Sequence, residues 1–144
     1  MVYKAINEDL NILAGLAMLL WPEHTLEELK SEFLDIIDCS DAVFYIITNE
    51  DQPIGFAQCQ LRYDYVEGTV SSPVGYLEGI FIKEEYRNNG YARRLLQECE
   101  RWALEKGCKE FASDCELSNE VSLNFHLNMG FAEANRVICF TKKL

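Results

Sequence analysis

From Val74 onward the apolar positions change period twice. Val74–Lys83 is a nearly unbroken apolar run of strand length. Ala92, Leu95, Leu96, Cys99, Trp102 and Ala103 then recur at helical spacing on one face, and Gly107 ends that helix. Lys109–Cys115 returns to a short strand, so the stretch reads as one βαβ unit whose two strands are predicted to be parallel. The N-terminal half uses the same two periods. Met1–Ile6 is a first strand, and Leu10 to Leu20 is a helix that stops at Trp21-Pro22, where proline forces its predecessor out of helical geometry. Thr25 with Glu28 forms a capping box for a second helix with Leu26, Leu29, Phe33, Leu34 and Ile37 on its buried face. Val43–Thr48 and Ile54–Val66 make a hairpin about a turn at Asn49–Pro53, and Glu67–Pro73 is a loop. Ser118 caps a helix that runs to Met129 and ends at Gly130, and Val137–Lys142 is a last strand. The order β-α-α-β-β-β-α-β-α-β predicts an α/β sheet with helices on both faces, in a single domain over residues 1–144.

Charge narrows the partners. A net charge of −11 disfavours nucleic acid, which needs a basic footprint, and an anionic membrane surface. The same field concentrates a polycationic small molecule, although acidic charge also serves solubility alone. The apolar stretch Leu10–Trp21 lacks a basic front end and a cleavage site and is too short to span a bilayer, so a cytoplasmic location is expected. The six cysteines (Cys39, Cys59, Cys99, Cys108, Cys115 and Cys139) form no CxxC pair, and only His24 and His126 accompany them. Reduced, mostly structural thiols and no metal site are expected.

Candidate chemistry begins at residues 84–96, "EEYRNNGYARRLL". Here a polar, small-residue stretch leads from a strand into the best amphipathic helix. Gly90 lets the backbone turn without a Cβ clash, and successive N–H groups from Arg87 through Asn88, Asn89, Gly90 and Tyr91 to Ala92 can converge on a pyrophosphate, with Arg87 or Arg93 pairing residual charge. The spacing fits neither a dinucleotide fingerprint nor a Walker loop, and the residues alone leave anion binding and a plain capped turn equally open.

The pattern R-x-x-G-x-A between a strand and an amphipathic helix, followed by a strand and a short helix ending in "NMGF", resembles the acetyl-CoA pyrophosphate loop of the GCN5-related N-acetyltransferases (GNAT). The resemblance covers nearly the whole chain. It implies a GNAT fold, with a mixed central β-sheet splayed between two parallel strands to admit acetyl-CoA. Five segments, "LWPEH" at 20–24, "RYDYVEG" at 62–68, "SSPVGYLEGIF" at 71–81, "ASDCE" at 112–116 and "GFAEANRVICF" at 130–140, are similar to the short aminoglycoside 6′-N-acetyltransferases of Gram-negative bacteria.

That similarity implies transfer of an acetyl group to the 6′-amine of the drug, causing resistance. It places Trp21, His24, Tyr65, Glu78 and Asp114 around the drug, where aromatic rings stack on sugar faces and carboxylates hold ammonium groups. Glu78 or Asp114 accepts the proton of the ammonium, through water or directly. Backbone N–H groups over Gly79–Ile82, including those of Ile80 and Phe81, bond the thioester carbonyl and the pantetheine arm, which Asn119 also reaches unless it only caps its helix. Many superfamily members carry a tyrosine four residues before the glycine of "GF" to protonate the thiolate. His126 stands there instead and is the candidate acid. Asn135 occupies a position where some close relatives place a drug-contacting glutamate. The resemblance also implies a homodimer formed through C-terminal strands. Two other readings stay open at this level: transfer to another amine, such as a polyamine or peptide N-terminus, and a non-catalytic acyl-CoA-binding module on the same fold.

Overall fold

The computed structural model describes residues 1–144, which form a five-stranded sheet in the order β1-β2-β3-β4-β5. The strands are β1 Val2–Lys4, β2 Ala42–Asn49, β3 Gln52–Arg62, β4 Val74–Ile82 and β5 Phe111–Ser113. The first four are antiparallel to their neighbours, and β5 runs parallel to β4, as the crossover helix between them requires. That helix is α3, Tyr91–Glu105; the others are α1 Leu10–Leu20, α2 Leu26–Ile36 and α4 Glu120–Asn128. No helix is long and apolar enough to cross a membrane.

The two faces of the sheet carry separate cores. On one, Val43, Ile47, Ala57, Cys59 and Leu77 pack against Leu95, Leu96, Cys99 and Trp102 of α3. On the other, Phe44, Ile46 and Phe56 meet Leu13 and Ala17 of α1 and Leu29 and Phe33 of α2. Each of the fully buried rings Phe33, Phe44 and Phe56 contributes about 1.5–3 kcal/mol on burial. The α2 capping box forms as its sequence predicts, with Thr25 accepting from the Glu28 N–H and Glu28 from the Thr25 N–H. The β2–β3 turn is tighter than Asn49–Pro53. Glu50 and Asp51 both take positive φ, a geometry that matches the twist of the flanking strands.

The structure corrects several expectations. Leu34 lies on the solvent side of α2. The cap of α4 is Asn119 rather than Ser118, its side chain accepting from the Ser122 N–H. β3 ends at Arg62, four residues before the predicted Val66. The largest difference is at the C-terminus, where 131–144 forms no strand and Val137, Ile138 and Phe140 are exposed, Phe140 by 87 %. An apolar segment becomes a strand only with an edge to pair with, and no strand of this chain is paired with it. Of the thiols, Cys59, Cys99 and Cys108 are buried, whereas Cys39, Cys115 and Cys139 are exposed. A hydrogen bond to Cys59, followed by burial, pushes the Cys99 thiol well up, so it stays protonated in the core.

Candidate active site

The site grows from an irregularity in the sheet. Gln58 pairs with Gly79 but Cys59 pairs with Leu77, so Glu78 is an extra residue on β4. Such a bulge bends its strand and re-aims the inserted side chain. On the other side of β4, pairing with β5 stops at Leu77 and Ser113. Beyond that point Gly79, Ile80, Phe81 and Ile82 remain paired only with β3, and the edge facing away from it is open. A fork between two parallel strands therefore begins at the bulged glutamate, with strand-spaced backbone groups along one arm.

Below that arm, Gly90 adopts φ 79° and starts α3 with no side-chain cap. A fifteen-residue helix whose first-turn N–H groups lack an internal acceptor presents partial positive charge to an anion. Nothing lies within 4 Å of a Cβ built on Gly90, so the approach is clear. The neighbours are divided between ligand and scaffold. Asn89 donates to the carbonyls of Tyr86 and Arg87, and Asn88 supplies a second positive φ, so both shape the turn. Arg87 Nε caps the Ile82 carbonyl at 2.9 Å and its guanidinium lies over the Phe81 ring, fixing the end of β4. Tyr91 donates to Asn49 Oδ1, and Arg93 ties α3 to the Asn128 carbonyl at the end of α4. Ala92, half-buried against the core, keeps the first turn unobstructed.

Above the fork is a cavity of about 400 Å³ between β3, β4 and α2. Its walls include Trp21, Glu23 and His24 from the α1–α2 turn and Glu32 from α2, and its floor holds Gln58, Gln60 and Glu78. Trp21 lies directly on β4. A Cβ on Gly79 would sit 2.7 Å from the indole, so only glycine lets the ring reach the strand there. The indole also meets the edge of Phe56 at 6.0 Å. A second recess of similar volume is lined by the run Leu61–Tyr65. Arg62 borders it and pairs in a two-pronged manner with Glu78, Nε to Oε1 at 3.1 Å and Nη2 to Oε2 at 2.9 Å. The pair thus stands between the two spaces. Burial pulls the Arg62 guanidinium down, but its bonds to Glu78 carry it net above its ordinary value. Arg62 also lies 3.4 Å over the Tyr76 ring. Tyr76 in turn donates its hydroxyl to Asp114 Oδ2, and burial followed by that bond pushes the phenol far up, so it remains a donor.

The structure brings Trp21, His24 and Glu78 to one cavity. Asp114 connects to them through Tyr76, Arg62 and Glu78. Tyr65 is 75 % exposed and borders the second recess. Asn135 lies in the C-terminal segment, where it donates to Glu67 at 2.9 Å. The Asn119 carbonyl oxygen serves the α4 cap. His126 Nδ1 is 2.7 Å from the Ser122 carbonyl, which can only accept, so Nδ1 carries a proton and Nε2 faces Ser113 Oγ at 2.7 Å. Ser113 is the last residue of β5 to pair with β4, which puts the His126–Ser113 pair at the head of the fork. Glu23, Glu32, Gln58, Gln60, Arg62, Tyr76 and Ser113 are additions that the sequence alone does not single out. Arg62 belongs to the "RYDYVEG" run, but its partner Glu78 lies four residues along β4 from Val74, its register partner, and is reached only by the side chain.

This combination of a bulged strand, a fork and an uncapped helix start has relatives. A profile of the acetyltransferase (GNAT) family matches residues 13–131, and the chain belongs to that family. Among curated proteins, the chain is 36 % identical over 145 residues to an aminoglycoside N(6′)-acetyltransferase type 1 of Serratia marcescens, covering 100 % of this chain and 99 % of that protein. A protein of the same description from Acinetobacter baumannii is 40 % identical over 130 residues, covering 90 % and 89 %. Among solved structures, AAC(6′)-Iy in complex with the bisubstrate analogue CoA-S-monomethyl-acetylneamine matches with a TM-score of 0.96 at 35 % identity, covering 100 % of this chain and 98 % of that one.

Proposed function

We infer that the protein is an acetyl-CoA-dependent aminoglycoside 6′-N-acetyltransferase whose action confers resistance. The observation that carries this is an acid-lined cavity meeting the open fork at one residue, Glu78. Acetyl-CoA is the co-substrate and supplies the acetyl group as a thioester. Its pyrophosphate suits the uncapped start of α3, and its amide-bearing arm suits the open edge of Glu78–Ile82. The cationic drug suits the cavity, with Trp21 under a sugar ring and Glu23, Glu32 and Glu78 facing its ammonium groups. A polyamine or peptide acceptor, or a module without catalysis, has no comparable support.

The two carboxylates near the fork divide the work by their bonding. Both Glu78 oxygens are engaged by Arg62, so Glu78 holds and orients the reacting ammonium by charge. Asp114 uses one oxygen for Tyr76, and its other oxygen, exposed at the end of β5, takes the proton from the ammonium through water. The free amine then attacks the thioester carbonyl, forming the N–C bond. A backbone N–H on the open edge of β4 holds the carbonyl oxygen as it gains charge. As the C–S bond breaks, the attacking nitrogen, cationic after forming the N–C bond, gives up its second proton to His126 Nε2 by way of Ser113, and the same pair passes that proton on to the departing thiolate. Transfer is direct within a ternary complex, so alignment supplies much of the rate. In the test, incubation with acetyl-CoA and kanamycin gives a product heavier by one acetyl group, and fragmentation places that group on the 6′ nitrogen. Acetylation at any other amine contradicts the assignment.

We further infer a cytoplasmic homodimer. The C-terminal segment, with Val137, Ile138 and Phe140 exposed, has the composition of a strand and no partner in its own chain, and β5 pairs along one side only. A second copy supplies the missing edge. Light scattering is expected to return twice the mass of one chain, and a change of Phe140→Asp to return a single chain. A monomer for the unaltered protein rejects the dimer.

A further inference from the structure

Gln58 is the anomaly of the cavity. It lies in the middle of β3, is 7 % exposed, and its amide makes no hydrogen bond to any protein group. No side-chain polar atom in the structure is both fully enclosed and unpartnered, so the amide opens into the cavity that it lines. Core positions of a central strand are usually apolar. Phe56, two residues earlier on the same face, is such an apolar residue. Gln58 is therefore poised for a ligand group.

The amide's chemistry selects that group. Glu23, Glu32 and Glu78 already supply the acceptors that ammonium groups need. What the Gln58 amide adds is an N–H donor, and an ammonium cannot accept from it; a sugar oxygen can. A hydroxyl can also return a bond to the amide carbonyl, satisfying both ends. Position selects the ring. Gln58 is the register partner of Gly79, the residue on which the Trp21 indole rests, and Gly79 adjoins the bulged Glu78 at the fork. The sugar that bears the reacting amine has to reach this fork, so the ring over Gln58 is that same sugar.

We propose that Gln58 is a specificity-determining residue, an amide that reads a hydroxyl on the amine-bearing sugar ring and discriminates against ligands that lack it. This rests on the aminoglycoside reading above. A site built to bond a hydroxyl penalises its absence because the buried partner is then left unpaired.

The test compares kanamycin B with its analogue in which two hydroxyls of the amine-bearing ring are replaced by hydrogen. The unaltered enzyme is expected to favour the hydroxylated drug by about 10–100-fold in kcat/KM. Gln58→Met, similar in volume and without an amide, is expected to lose most of that preference by slowing with the hydroxylated drug. Gln58→Glu, which keeps an acceptor but no donor, is expected to lose it likewise. Turnover of both drugs by the unaltered enzyme without preference overturns the proposal and leaves the acetyltransferase assignment standing. So does an equal fall for both drugs in Gln58→Met, since a purely structural glutamine gives that result. If Gln58→Met fails to fold, the preference of the unaltered enzyme decides. No turnover of either drug by that enzyme overturns the activity itself, and the proposal with it.

Discussion

Glu78→Gln is expected to lower kcat/KM for the aminoglycoside by about 10²–10³-fold. Glutamine keeps the size of the side chain but removes the charge at the point where cavity and fork meet. Two consequences follow. The reacting ammonium loses its anchor, and Arg62, held by both oxygens of Glu78, is left as an uncompensated cation in the space that the drug's cation has to enter. The second effect makes the loss larger than that of an ordinary surface carboxylate. The pair is partly exposed, with the Arg62 side chain at 42 % and Glu78 at 19 %, so the expected cost in folding stability is only about 1 kcal/mol. Steady-state kinetics checks this with KM for acetyl-CoA as the internal reference. It should move far less than KM for the drug, because the open β4 edge is backbone. Equal losses on both substrates, with a large fall in Tm, would instead make Glu78 a structural residue.

Gly90→Asp is expected to raise KM for acetyl-CoA by about 100-fold while changing KM for the drug little. The φ of 79° disfavours most side chains, yet aspartate and asparagine tolerate this region, and a Cβ here meets nothing within 4 Å. The chain can thus fold with either residue at a cost of about 1 kcal/mol. The aspartate places a negative charge at the uncapped helix start, where it both repels a pyrophosphate and competes for the same N–H groups. Gly90→Asn has the same shape without the charge and should raise KM about tenfold less, separating charge from backbone strain. Equal effects of the two variants would mean that the glycine serves the turn alone.

How much of this was legible in the sequence depended on the range of the interactions. The capping box at Thr25 and Glu28, the apolar face of α3, and the βαβ unit are local patterns, and each formed as read. The strand predicted at Val137–Lys142 did not form, because apolar composition states a need for pairing and cannot state with what. Leu34 was assigned inward because two helical positions compete for one boundary of the apolar stripe; Phe33 took the core. At the site, Trp21, His24 and Glu78 were legible from short motifs and do share a cavity. Gln58, Gln60 and Arg62 were not, since an isolated polar residue in a strand carries no mark of function until the register sets Gln58 opposite Gly79 and Gln60 opposite Tyr76, and until the side chain of Arg62 meets the bulged Glu78. Ser113 was missed for the same reason; only the end of the β4–β5 ladder gives it a place beside His126.

The central claim, that Glu78 and the fork present a 6′-amine to acetyl-CoA, is tested most directly by CoA-thiol release with tobramycin beside its counterpart carrying a hydroxyl in place of the 6′-amine. Release with the amine and none with the hydroxyl compound is the predicted result. Equal release from both, or release only with spermidine, would contradict the account.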